Sequence, residues 1–164
     1  EGNTDIFGSL KDLLAVSRQP GRPIIMQVVS DGVATVGLTD RSRIIESFSQ
    51  ENRGAFSVFT LGTYPGANAY LLDLLSARNR GDTTIVRTGR WDIPAVVENR
   101  VREVARPVLN DVRFRFSGQA GAETLPRLTG NLYLDKPLVL VGRYPRGMRR
   151  LVFQDQPATV GRPL

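Results

Sequence analysis

A doubly wound α/β layer followed by a smaller antiparallel β segment is the fold class this sequence predicts. Three observations carry it. A near-continuous apolar run at residues 24–29 reads as a strand covered on both faces, as in a parallel sheet, and a second run at residues 55–61 reads as another strand. Stretches whose apolar residues recur at spacings of three and four lie between and around these runs, so strands and helices alternate through right-handed crossovers. After Pro107 the period changes to two, which belongs to half-buried antiparallel strands.

The elements follow in order. Ile6, Leu10, Leu13, Leu14 and Ser17 share one face of a first helix, with Lys11, Asp12 and Arg18 elsewhere. Thr4 or Asp5 can cap its start, since either oxygen can accept a free first-turn N–H. Gln19-Pro20-Gly21 stops it. Pro23 leads into the first apolar run, which Ser30-Asp31-Gly32 ends. Asp40 is placed to cap a second helix that buries Ile44, Ile45 and Phe48. The second run ends at Gly62. Asn68 then opens a helix with Leu71, Leu74 and Leu75 inward, closing near Asn79 and Gly81. Residues 83–86 form a short third strand. Asp92 caps a last helix with Pro94 in its first turn and a stripe of Ile93, Val97, Val101 and Val104.

Beyond Pro107, Val112, Phe114 and Phe116 alternate with Arg113, Arg115 and Ser117. Residues 138–141 and 151–153 are two further strand candidates, with Pro145, Arg146 and Gly147 in the turn between them. A boundary near residues 107–110 divides the chain into an α/β unit, residues 1–108, and a β-rich unit, residues 109–164. Charge divides it at the same place. The first unit carries 13 basic and 12 acidic side chains, and the second carries 9 and 4. The two therefore present different surfaces.

Composition removes several chemistries. The 164 residues include no histidine and no cysteine. There is no Ser-His-Asp or Cys-His apparatus, no imidazole-ligated zinc, no thiolate nucleophile and no disulfide. Any metal here needs oxygen ligands, which points to Mg²⁺, Ca²⁺ or Mn²⁺. The apolar runs are too short to span a bilayer, so no membrane insertion by this segment is expected. Residues 32–37 have neither the glycine spacing nor the Lys-Ser/Thr pair of a phosphate loop.

Ligands of an open α/β sheet bind beyond the carboxyl ends of its strands. Residues 30–32, residues 62–64 and Asn3-Thr4 reach that rim. Asp31 follows the most apolar strand directly. It can ligate a metal, bond a loop backbone, or serve a plain Asp-Gly turn. Thr4 reads equally as a helix cap. Together they are the two oxygen-bearing residues expected at one rim, although two ligands do not fill the octahedral shell that Mg²⁺ prefers. Arg143, Arg146, Arg149 and Arg150 could contact phosphates, but they straddle a Pro-Gly turn with little aromatic company, so a solvated hairpin tip accounts for them. Trp91 reads as a packing anchor at a helix start.

Several segments in sequence carry a resemblance. Asn3-Thr4-Asp5-Ile6 before a helix, residues 24–32, and Phe59-Thr60-Leu61-Gly62 before a helix resemble the later half of a von Willebrand factor type A domain. Asn79-Arg80-Gly81, Asp111-Val112-Arg113-Phe114 and residues 138–144 are similar to bacterial relatives of inter-alpha-trypsin inhibitor heavy chains. In those proteins an A domain runs into a β-rich segment. The resemblance spans nearly the whole chain. It implies a metal-ion-dependent adhesion site with Thr4 as the second-loop ligand and Asp31 as the third-loop ligand. Ser30 and Val33 depart from the family's usual Thr and acidic residue on either side. The Asp-x-Ser-x-Ser motif of the first strand does not occur, Asp40-Arg41-Ser42 being the nearest match.

The resemblance thus implies a chain that begins after the first part of the domain, with an incomplete ion site whose Mg²⁺, Mn²⁺ or Ca²⁺ affinity in this segment alone is weak or absent. It also implies that the strand at residues 24–29 is a bare edge. The missing half, a second copy or the β segment is expected to cover it. The function implied is a non-enzymatic adhesion module that takes an acidic side chain of a protein ligand, in an extracellular, periplasmic or cell-envelope setting. A metal-dependent phosphoesterase using Asp31, and a structural domain without metal, are the alternatives. Nucleic acid is not an expected partner.

Overall fold

A computed structural model describes residues 2–20, 22–86, 93–117, 123–125, 130–139, 141–143 and 150–157. Its first half follows the strand–helix rhythm: α1 (Ile6–Leu13), β1 (Ile24–Ser30), α2 (Arg41–Asn52), β2 (Phe56–Gly62), α3 (Ala69–Arg78), β3 (Thr83–Ile85) and α4 (Ile93–Val104). The strands form a parallel sheet in the order β1-β2-β3, with Val28 beside Thr60 and Thr60 beside Thr83. The mixed α/β architecture is therefore the one predicted.

Short polar side chains start the helices. Asp5 Oδ1 accepts from Gly8 N at 2.8 Å and Asp40 Oδ1 from Arg43 N at 2.8 Å. Asn68 Oδ1 accepts from Leu71 N at 3.3 Å. Each satisfies an N–H that the helix itself cannot pair. The cap of α1 is thus Asp5, which leaves Thr4 outside the helix. At the far end of α3, Gly81 is required by space: a Cβ there would lie 1.8 Å from the Val58 carbonyl oxygen.

Alternate residues of each strand point to opposite faces. On one face, Met26, Phe56 and Val58 pack with Ile6 and Leu10 of α1, Ile44, Ile45 and Phe48 of α2, and Leu71 and Leu75 of α3. On the other, Phe59 packs with Val104 of α4, Tyr133 and Ile25. All seven residues of β2 are buried, whereas in β1 only Met26 is. The cover on both faces predicted for β1 is found in β2 instead. β1 is an edge strand: Val29 is 48% exposed, and among the described residues its outer edge pairs with no other strand.

The stripe expected on α4 is also corrected. Val101 is 49% exposed, and the buried residues are Arg100 and Val104. Ile93, Val97 and Val104 keep the predicted inner side, and Arg100 takes the place expected for Val101. Asp92 and Trp91 lie outside the described residues.

The second half consists of β4 (Pro107–Ser117), β5 (Glu123–Leu125), β6 (Leu132–Tyr133), β7 (Val141–Arg143) and β8 (Arg150–Pro157). They form an antiparallel sheet of order β6-β4-β8 and a separate β5-β7 pair. The strand predicted at residues 138–141 begins only at Val141. It does not form a hairpin with residues 151–153, because β7 pairs with β5 and β8 pairs with β4. Arg143 is exposed on β7, and Arg150 opens β8. Arg146 and Arg149 lie outside the described residues.

Candidate functional site

The carboxyl ends of β1 and β2 open onto a rim built by three loops. Asp31 leaves β1 in an Asx-turn: its Oδ1 accepts from Val33 N at 2.9 Å. Its carbonyl oxygen accepts from Asn68 N at 2.7 Å, and Asn68 Nδ2 donates to the Gly32 carbonyl at 3.0 Å. The Asn68 side chain therefore caps α3 and holds the Asp31 loop with the same amide. Gly32 has φ +73, and a Cβ on it would lie 3.0 Å from the Asn68 Cβ, so the loop is closed by a glycine that nothing larger replaces without strain.

Thr4 reaches the rim from the other side. Thr4 N donates to Thr35 Oγ1 at 2.7 Å, and the Thr4 carbonyl accepts from Thr35 N at 2.9 Å and Val36 N at 3.3 Å. The stretch ahead of α1 is thereby bonded to the loop that starts at Asp31. Because Asp5 caps α1, the Thr4 hydroxyl has no hydrogen bond among the described residues. Thr4 and Asp31 themselves make no direct hydrogen bond there. Residues 62–64 supply the third loop, with Tyr64 exposed.

The donor set can be tested against a cation. Asp31 commits one carboxylate oxygen to Val33 N, which leaves the other for a ligand. Thr4 adds a neutral hydroxyl. Among the described residues no three acidic side chains come together as a metal cage. These two oxygens suit a hard cation in kind, but four more positions of an octahedral shell would fall to water or to other protein groups.

A second charged site lies at the entrance to β3, where the β-rich half meets the sheet. Asp82 accepts hydrogen bonds from Arg100 of α4 and from Lys136, just past β6. Arg100 also donates to Glu103 Oε2 at 2.8 Å. Both cations sit on the Phe59 ring, the Arg100 guanidinium 5.6 Å and the Lys136 ammonium 5.1 Å from its centroid. Tyr133 meets the same ring edge-on at 5.8 Å. Partial burial raises the Asp82 carboxyl, but the hydrogen bonds and charges of Arg100 and Lys136 outweigh it and hold the group below its ordinary range. Burial pushes the Tyr133 phenol up. A cavity of about 290 Å³ remains beside this cluster, bounded by Phe59, Asp82, Tyr133, Lys136 and Leu138.

Sequence reasoning missed this cluster. One signal for it existed: Arg100 interrupts the apolar side of α4, where a buried cation needs an anionic partner. Lys136 carried no such signal, because it lies in an irregular segment.

No family model matches this chain. Curated relatives do. The chain is 26% identical to human inter-alpha-trypsin inhibitor heavy chain H1 over 119 residues, which are 73% of this chain and 13% of that protein. It is 28% identical to human inter-alpha-trypsin inhibitor heavy chain H6 over 164 residues, 92% of this chain and 12% of the relative. A von Willebrand factor A domain-containing protein of Dictyostelium discoideum is 28% identical over 116 residues, 71% of this chain and 12% of its own length. The chain thus spans about one-eighth of the length of these relatives. Their likeness suggests a von Willebrand factor A-like domain, and the parallel sheet is consistent with that Rossmann-like fold.

Proposed function

We propose that this chain is part of a protein-interaction module of von Willebrand factor A type, with its binding surface at the rim where β1 and β2 end. Relatives that carry such domains support the module. The bonding of Thr4 to Thr35 supports the site, because it ties the Thr4 segment to the loop that Asp31 begins. In this reading Asp31 and Thr4 contribute a carboxylate oxygen and a hydroxyl oxygen to one divalent cation. A cation held by few anionic ligands keeps excess positive charge, and it would offer that charge to an acidic side chain of a protein ligand.

The test is titration calorimetry of the full-length protein with Mg²⁺ and Mn²⁺. Cation heat that disappears in Asp31→Ala and weakens in Thr4→Ala is the expected result. Tight cation binding that survives Asp31→Ala overturns the assignment.

A further inference from the structure

Among the described residues, the junction between the two halves of the chain has few buried apolar contacts. On that face of the sheet the buried cluster consists of Phe59, Val104 and Tyr133, with Ile25 packed against it. The cavity of about 290 Å³ lies directly beside it. Among those residues, the apolar seat of residues 131–138 on β2 is narrow. Charge is concentrated where packing is thin. Asp82 stands at the amino end of β3, Arg100 comes from α4, and Lys136 follows β6, so one carboxylate touches three elements of the fold.

We propose that Asp82 is a latch that fixes the β-rich half on the parallel sheet, by neutralising two cations that would otherwise repel each other across the Phe59 ring. Lys136 is 54 residues away from Asp82 in sequence, so its bond to Asp82 is a long-range tie and not a local turn. Arg100 keeps a second anionic partner in Glu103, but the only acidic partner of Lys136 among the described residues is Asp82. With the carboxylate gone, Lys136 would face Arg100 beside the Phe59 ring with no anion between them. Removing the anion is therefore more damaging than removing one of the cations. A second substitution that deletes the Lys136 charge should repair part of the harm. A carboxylate that merely filled space would not give this order.

Hydrogen exchange read by mass spectrometry on the full-length protein tests the latch. In Asp82→Asn, exchange should accelerate severalfold in residues 131–138 while α2 and α3 keep their protection, the signature of sub-global opening. Lys136→Gln alone should give a smaller acceleration in the same residues. The Asp82→Asn, Lys136→Gln double variant should exchange more slowly than Asp82→Asn. Unchanged exchange at residues 131–138 in Asp82→Asn overturns the proposal. So does acceleration spread evenly over the chain, or a double variant worse than Asp82→Asn. If Asp82→Asn fails to fold, Lys136→Gln still decides, since no acceleration confined to residues 131–138 would also overturn it.

Discussion

The two faces of the parallel sheet are built from the same strands, residue by residue in alternation, yet they are closed by different physics. The face under α1, α2 and α3 is sealed by apolar side chains, with Ile44, Phe48, Leu71 and Leu75 fully buried. Its polar groups are paired among themselves. Asn52 Nδ2 donates to Asn79 Oδ1 at 2.7 Å and to the Phe56 carbonyl at 3.0 Å, and Thr60, Ser76 and Thr83 share hydroxyl bonds of 2.8–2.9 Å. Among the described residues, the opposite face has one aromatic pair, a cluster of charges, a cavity and an exposed Val29. An apolar run therefore declares only that a strand can be buried. What buries it is decided by the partner elements, and these differ between the faces.

The sharpest way to break that contrast is to remove volume from the sealed face. Phe48 is 0% exposed and lies at the centre of the core, so Phe48→Ala should cost about 3–5 kcal/mol in urea unfolding. A cost near 1 kcal/mol would mean that this face is as loosely packed as the other. The polar groups allow a second comparison. Asn79→Ala removes one acceptor of the Asn52 amide and the donor to the Ser49 hydroxyl, although Asn52 keeps its bonds to Phe56, and it should cost roughly 1–3 kcal/mol. On the open face, both polar atoms of the Gln27 amide are buried with no hydrogen bond among the described residues. Gln27→Leu should therefore be neutral, or stabilise by about 1 kcal/mol. Equal losses at the two positions would show that Gln27 has a partner beyond the described residues.

The sealed face was also the legible one. Its helices are amphipathic and capped, so Asp40, Asn68, Ile44, Ile45, Phe48, Leu71 and Leu75 take their predicted places. The position of Asp31 was readable for a related reason, since it directly follows an apolar run and precedes a turn glycine. The bond between Thr4 and Thr35 was not readable, because it joins two loops 31 residues apart and neither has a period. The open face was obscured twice. The apolar stripe of α4 drawn through Val101 departs from the inner side there, since Arg100 is buried and Val101 is 49% exposed. Tyr133 and Lys136 come from an irregular stretch whose pattern names no element, so Arg100 was the one hint of the seam and its charge cluster. The mispairing expected for residues 138–141 and 151–153 has the same origin: proximity in sequence suggested a hairpin, and longer-range pairing with β5 and β4 prevailed.

The smallest effect to look for is the acid response of the open face. The Asp82 carboxyl is held below its ordinary range in the folded chain, against the tendency of burial to raise it. A group whose folded pKa lies below its unfolded value contributes stability above the unfolded value, and that contribution disappears as pH falls through the folded one. The seam should thus be indifferent to pH near neutrality and loosen only in acid, below the usual carboxylate range. Asp82 is 41% exposed, so solvent screens the pair and the contribution should stay below about 1 kcal/mol. Urea midpoints followed down a pH series would read it as a shallow acid limb that shrinks in Asp82→Asn. The sealed face has hydroxyls and amides in place of carboxylates at its polar centre, so protection of α2 and α3 should not follow that limb. If their protection falls in step with residues 131–138, the two faces open together, and the difference between them is one of composition and not of stability.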